Sequence, residues 1–256
     1  MNYEIQIYRN GFTKAPGPEI FYLNDWEIEY DLYTYVYVIK GDNFLMVYDT
    51  GCGNIDSINE MLLKEFKGKI TFDMPKDETI EAILNKAKID PLDVNYVFLS
   101  HLHHDHSSNV GLFKNAKVIL SRNGWINYMM KNRPYFYNDI LFPEAPIKYI
   151  DALPPEKTIF IDNGTEIAPG ISAFWVGGHT PCCAAMIVQT SLGKAALSSD
   201  IAFLERNITE DKPIGFFYNL WEIYEGYKKI RQNCDFVLTS HDPDILRRRF
   251  KEGIIK

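Results

Sequence analysis

The 256-residue chain has few of the features that announce a secreted or membrane protein. Its four cysteines, Cys52, Cys182, Cys183 and Cys234, form no C-x-x-C pair and are too sparse for a disulfide framework. Adjacent Cys182 and Cys183 would pair poorly with each other. A reduced, cytoplasmic protein is therefore expected. The start, Met1-Asn2-Tyr3-Glu4-Ile5-Gln6-Ile7-Tyr8-Arg9, alternates like a strand and lacks a basic stretch followed by an apolar one, so no signal peptide is expected. No uninterrupted apolar run approaches membrane-spanning length, which excludes a helical membrane span. Positive charge is in deficit, with 27 Lys+Arg against 34 Asp+Glu, so nucleic acid is not expected as a partner. Linkers, low-complexity runs and clean repeats are missing as well. One domain over residues 1–256 is the economical reading.

What remains is an ordinary globular composition, 46% hydrophobic and 24% charged, with enough chain for a substantial core. Residues 1–50 read as strands. Tyr33, Tyr35, Tyr37 and Ile39 interleave with Thr34, Val36 and Val38, and Gly41-Asp42-Asn43 turns the chain into Phe44–Tyr48 as a hairpin. That strand ends in Asp49-Thr50-Gly51, taken alone a turn signal. An amphipathic piece spans 55–66, and helical spacing of Ile80, Ile83, Leu84 and Ala87 predicts a helix over about 76–88 with Asp77 as its cap. Residues 123–132 read as a further helix and 133–147 as an aromatic, proline-punctuated loop, either packed on the core or walling a pocket. Strands follow near 118–120, 159–161, 165–167, 172–176, 184–188, 194–200 and 234–240, with a helix over 220–230.

Histidine is scarce, yet four of the six fall within Ser100-His101-Leu102-His103-His104-Asp105-His106. The strand 94–99 runs into this cluster, and Ser107-Ser108-Asn109 after it has helix-starting composition. Neutral imidazole is the commonest protein metal ligand, and carboxylate suits the same metals. His179 after Gly177-Gly178, Asp200 and His241 likewise stand at or just past strand ends, where an α/β protein places its site. His104 is left over.

This pattern resembles the metallo-β-lactamase superfamily: His-x-His-x-Asp-His at 101–106, a lone His179, a lone Asp200 and a late His241, preceded by Asp49-Thr50-Gly51. Within it, Leu99–His106, Gly178-His179-Thr180-Pro181 and Ser240-His241-Asp242-Pro243 look most like N-acyl-homoserine lactonases, the enzymes of quorum quenching. The resemblance covers about residues 50–245. It implies an αββα sandwich, with one metal on His101, His103 and His179 and a second on Asp105, His106 and His241. Asp200 and a hydroxide would bridge them. Zinc is the family's usual metal, with iron, manganese and cobalt as alternatives. Asp105 would also shuttle a proton, making the chain a hydrolase of a small lactone or ester.

The lactonases carry a Tyr three residues after the bridging Asp that donates to the substrate carbonyl; here the place is Phe203. Tyr135, Tyr137 or Tyr218 could substitute for it. Phe203, Tyr135, Tyr137 and Phe142 are the candidate pocket residues. Cys182-Cys183 stands where Gly is common and reads as packing rather than redox or soft-metal chemistry. A pyridoxolactone-like ring or a glutathione thioester is the alternative substrate. The thioester would want a basic rim such as Arg247-Arg248-Arg249, although a solvated face is the plainer reading of that run. Flavo-diiron and sulfur-dioxygenase chemistry and nuclease activity fit less well, lacking a flavin domain, a need for seven ligands, or a nuclease domain. The lactonase branch contains dimers, so a homodimer stays open; no residue decides it.

Overall fold

The computed structural model describes residues 2–68, 70–130 and 142–256. Two long antiparallel strands, β1 (Glu4–Pro16) and β2 (Glu29–Gly41), start the first sheet. In β2, Tyr35, Tyr37 and Ile39 enter one buried cluster and Val36 and Val38 another, the two-residue period of a strand covered on both faces. Between β1 and β2 lies α1 (Gly17–Ile20), a single turn that the sequence pattern does not suggest. The anticipated hairpin continues into β3 (Phe44–Tyr48), and Asn43 takes the left-handed turn position at φ 54°.

The amphipathic piece forms α2 (Ile55–Phe66), capped where Asn54 Oδ1 accepts the Ser57 N–H. Next come the short β4 (Phe72–Asp73), paired to β1, and α3 (Ile80–Ala87). This helix is shorter than the expected 76–88. Pro75 to Glu78 close a turn, and Thr79 caps the helix by accepting the Ala82 N–H. Asp77, expected as the cap, pairs with Lys86 instead at 3.1 Å. Parallel strands β5 (Tyr96–Phe98), β6 (Lys117–Ser121) and β7 (Thr158–Ile161) widen the sheet beyond β3.

The second sheet is an antiparallel meander, β8 (Thr165–Ala168), β9 (Ile171–Trp175), β10 (Ala184–Thr190) and β11 (Gly193–Leu197), joined in parallel by β12 (Phe236–Leu238). β13 (Ile254–Ile255) returns to the free side of β1 in the first sheet. Tyr37, Tyr48 and Phe98 from the first sheet meet Met186, Val188, Leu197 and Leu238 from the second. Each such side chain contributes roughly 1.5–3 kcal/mol by leaving water, so this shared layer holds the sheets face to face.

Helices cover both outer faces. Ile80, Ile83 and Leu84 pack on Val36, Val97 and Leu120 of the first sheet. On the second, Ile223, Tyr227 and Ile230 pack on Ala185, Ile187 and Val237. The order is helix, sheet, sheet, helix: the αββα sandwich expected.

Residues 144–147, expected as loop, begin a helix over Glu144–Asp151 that packs Ile147 and Ile150 on the first sheet. Pro146 lies in its first turn, where a missing N–H costs nothing. The helix expected at 123–132 spans Arg122–Met129 among the described residues; residues 131–132 of that expectation, and 133–141 of the expected loop, lie outside them.

Candidate metal centre and active site

The ends of β5, β9, β11 and β12 share one edge of the sandwich, and the chain turns there into loops carrying histidine and aspartate. After β5 the chain bends at Ser100, His103 takes an extended conformation (φ −66°, ψ 158°), and a one-turn helix then spans His104–Ser107. The helix thus begins inside the histidine cluster, not after it at Ser107-Ser108-Asn109. Those serines close the turn: Ser107 Oγ lies within hydrogen-bond reach of the Leu102 and His103 carbonyls, and Ser108 Oγ donates to the His104 carbonyl.

Gly177 and Gly178 lead into His179 at φ 63° and 80°. The left-handed φ of Gly177 disfavours a side chain, and a Cβ there would also come within 2.7 Å of the Trp175 ring. Glu222, in the first turn of the helix over Leu220–Asn233, accepts the Gly178 N–H at 2.8 Å. Asp200 sits in a tight turn after β11, and His241 follows β12.

These seven side chains are buried, and their donor atoms converge in two groups. His101, His103, His179 and Asp200 form one, and Asp105, His106 and His241 the other, each with its ligand atoms within 4.8 Å of one another. Asp200 stands between them. Its Oδ2 is 3.2 Å from His241 Nε2 and 3.6 Å from both His101 Nε2 and His179 Nε2, while its Oδ1 is 3.3 Å from His106 Nε2.

The rings are aimed by what their other nitrogens bind. Nδ1 of His179 is 2.7 Å from the Phe216 carbonyl and Nδ1 of His241 is 2.9 Å from that of Tyr33. A carbonyl only accepts, so these Nδ1 atoms carry the proton and Nε2 presents a lone pair. His106 Nδ1 faces Asp49 Oδ2 at 2.8 Å, and His101 Nδ1 faces Ser100 Oγ at 3.1 Å. His103 turns Nδ1 inward instead, 3.2 Å from His179 Nε2.

Electrostatics and unmet bonding both fit a cation. His101 Nε2, His106 Nε2 and Asp200 Oδ1 are buried without a hydrogen-bond partner. Burial and neighbouring imidazoles hold His101 and His103 well below the ordinary imidazole range, and burial depresses His179 as well, keeping them neutral. Burial also opposes charge on His106, yet Asp200, Asp105 and Asp49 raise its pKa well above the usual value. Asp105 and Asp200 ionise in return, despite burial, chiefly beside His106. Buried carboxylates at this density call for positive charge, and convergent lone pairs offer it metal coordination.

A cavity of about 330 Å³ opens onto the two groups. Its walls are largely apolar, with Leu62, Phe66, Ile70 and Phe72 on one side and Ala15, Pro18, Leu32, Phe203 and Phe216 among the rest. Phe203 packs edge-on between His179 and His241, with centroids 5.7 and 5.3 Å away. Phe142 packs on His103 at 4.9 Å but is not among the described residues lining the cavity. Neither is Tyr218. Tyr135 and Tyr137 lie outside the described residues.

Three residues take on roles that the sequence reading did not give them. Asp49 is an orienting carboxylate: it accepts the Ser100 N–H and Oγ–H, both at 2.7 Å, beside His106. Its strand β3 pairs directly with β5, so the acidic strand end was the available signal. His104 lines the cavity with Phe72 packed edge-on against it. Glu19 reaches the same cavity from α1, with no pattern in the sequence to mark it.

Cys182 and Cys183 are buried, with their sulfurs 3.1 and 3.2 Å from Thr180 Oγ1. They belong to neither donor group, and burial pushes the Cys183 thiol far up, as packing residues would have it. The three arginines at 247–249 pair with Asp31, Asp244 and Glu205.

The model of the metallo-beta-lactamase superfamily matches residues 30–241. The chain belongs to that superfamily. N-acyl homoserine lactonase of Bacillus thuringiensis is 24% identical over 190 residues, covering 73% of this chain and 71% of the relative. The lactonase AttM of Azorhizobium caulinodans is 27% identical over 183 residues, covering 67% and 66%. Among solved members of the superfamily fold, an N-acyl homoserine lactone hydrolase with N-hexanoyl-L-homoserine at its catalytic metal centre superposes with a TM-score of 0.78 at 19% identity, covering 96% of each chain. The dizinc quorum-quenching lactonase AidC superposes at 0.69 and 17%, covering 94% of this chain and 88% of its own. These likenesses establish the metallo-β-lactamase fold. No helix among the described residues is long and apolar enough to cross a membrane.

Proposed function

We propose that this chain, a metal-dependent hydrolase of the superfamily, opens lactone rings, with N-acyl homoserine lactones as the leading substrate class. One observation carries the reading: a four-residue donor group that includes Asp200 and a three-residue group of Asp105, His106 and His241 both border one largely apolar cavity. The proposed first set is His101, His103 and His179, and the second is Asp105, His106 and His241. Five imidazoles and two carboxylates suit zinc, and also iron, manganese or cobalt. Two such cations, when bound, supply an acidified water and polarise a substrate carbonyl.

The chain's own groups do the rest. Asp200 balances charge between the two sets. Asp105 is the proposed proton carrier, taking a proton from the attacking water and returning it to the leaving oxygen. Phe203 and Phe216 exclude bulk water and leave the substrate carbonyl without a tyrosine hydroxyl at position 203. No side chain need form a covalent bond to the substrate.

A glutathione thioester is less well supported. No lysine or arginine lines the cavity among the described residues, and the arginines at 247–249 are already paired. The test is proton release from a panel of lactones and thioesters with metal-reconstituted protein. Lactone turnover is expected; thioester turnover with every lactone inert would overturn the reading.

A further inference from the structure

Glu19 is held over the cavity by its backbone, not by its side chain. The Gly215 N–H donates to the Glu19 carbonyl at 2.7 Å, and Asn207 Nδ2 donates to the adjoining Ile20 carbonyl at 2.7 Å. Gly215 and Pro18 approach so closely that a Cβ on Gly215 would lie 1.8 Å from the Pro18 carbonyl oxygen. The turn is therefore fixed, and with it the origin of the Glu19 side chain. That side chain lines the cavity beside Ala15, Pro18, Leu32 and Phe203. It has no hydrogen-bond or ion-pair partner among the described residues, while every other carboxylate lining the cavity belongs to the donor sets.

Glu19 is half-buried, and a carboxyl partly withdrawn from water among apolar residues is better satisfied by a ligand donor that enters the cavity. Burial accordingly pushes Glu19 up to about 7, with His241 pulling the other way. A second group of lining residues, Leu62, Phe66, Ile70 and Phe72, forms its own apolar cluster, separate from the one that holds Ala15, Leu32 and Phe203. The one cavity thus offers three chemistries: the two donor groups, an apolar cluster that suits a chain, and a lone carboxyl acceptor.

We propose that Glu19 is a specificity-determining group, which receives an N–H donor that the substrate carries next to its reacting carbonyl. This rests on the hydrolase reading above and narrows it. The preferred substrate is an ester or lactone whose apolar chain is joined through an amide or amine nitrogen. An all-carbon analogue would leave the carboxyl unsatisfied and react more slowly.

The test uses two matched pairs with the metal-loaded enzyme. One pair is N-hexanoyl homoserine lactone and a γ-butyrolactone bearing an alkyl chain of equal length. The other is an α-acetamido thioester and its α-alkyl counterpart. The measured quantity is the ratio of kcat/KM, nitrogen-bearing over all-carbon, within a pair. Measured at pH 8, where the Glu19 carboxyl is ionised, Glu19→Leu should lower that ratio about tenfold, mainly through KM, as expected for one hydrogen bond to a charged group. Glu19→Gln, whose amide oxygen still accepts, should lower it less. Melting curves and metal content establish that both variants are folded and loaded.

A Glu19→Leu ratio within twofold of the parent overturns the proposal. So does an equal loss of kcat on both members of a pair, which would make Glu19 a partner of the reacting carbonyl. If the thioesters turn over and the lactones do not, the lactone reading falls while the thioester ratio still decides Glu19. Failure of both pairs sinks both.

Discussion

The Asp49 carboxylate lies 2.8 Å from His106 Nδ1, so one buried acid at the end of β3 sets the direction of a ring 57 positions further along the chain. The same carboxylate accepts two hydrogen bonds from Ser100. Thr50, its neighbour, donates through its backbone N–H to the His106 carbonyl at 2.6 Å, bracing the short helix from below. Orienting carboxylates of this kind typically govern metal affinity by 10- to 100-fold. Asp49→Asn should therefore weaken metal binding by about that factor while leaving the fold intact, because the shape of the side chain is kept. Competition against a chromophoric chelator measures it, and affinity equal to the parent's would remove Asp49 from the site.

Loss of a proposed ligand should be countable. The parent is expected to bind two ions per chain by elemental analysis, and His179→Ala closer to one. Activity should fall by at least about 10²-fold, since groups that act as a unit fail together. Chelation should also lower the melting temperature. A ligand at 100 times its Kd stabilises by about 2.7 kcal/mol, which for a chain of this size is roughly 5–10 °C. Unchanged melting after chelation would mean that the cluster holds no ion.

Phe203 lines the cavity between two of the proposed ligands. Phe203→Tyr adds one hydroxyl at that wall. Removing a donor to a developing oxyanion costs about 10²–10³ in rate elsewhere, so supplying one should raise kcat roughly tenfold with little change in KM. Steady-state kinetics on the best substrate decides it. An unchanged kcat would mean that the carbonyl is fully served without position 203.

The Glu19 carboxyl also predicts a pH dependence of stability. Its folded-state pKa is pushed up to about 7 from an ordinary 4.5. The folded chain therefore favours the protonated acid, and stability falls as pH rises from about 4.5 through 7. Above that the whole penalty is present. In metal-free protein, Glu19→Gln should melt close to the parent at pH 4.5 and higher than it at pH 8. Allowing for solvent at the cavity mouth, the difference is on the order of 1 kcal/mol, or roughly 2–4 °C. Parallel melting curves across that range would contradict the assignment.

How much of this could be read from the chain follows from the range of the interactions. The His101–His106 cluster is local, and His179, Asp200 and His241 each end a strand whose alternation is plain in the sequence. Their convergence then follows from the layered architecture. Asp49-Thr50-Gly51 is visible as part of the family pattern, but the role of Asp49, like that of Glu19, escapes because what matters about each is contact with residues far along the chain. Asp49 meets His106 only because β3 and β5 are neighbours, and Glu19 sits on a four-residue turn too short to leave any periodicity. The helix over 144–151 was hidden by its prolines, which fall where a helix tolerates them.

Each proposed donor set draws on both sheets: His101 and His103 from the first with His179 from the second, Asp105 and His106 from the first with His241 from the second. The two ions would then act as clasps across the seam. A polypeptide severed at the exposed Asn163–Gly164 turn would leave four of the ligands on one fragment and three on the other. Neither fragment alone could complete a set, so metal should drive the pieces to reassociate, turning a dissociation constant between halves into a direct gauge of the centre.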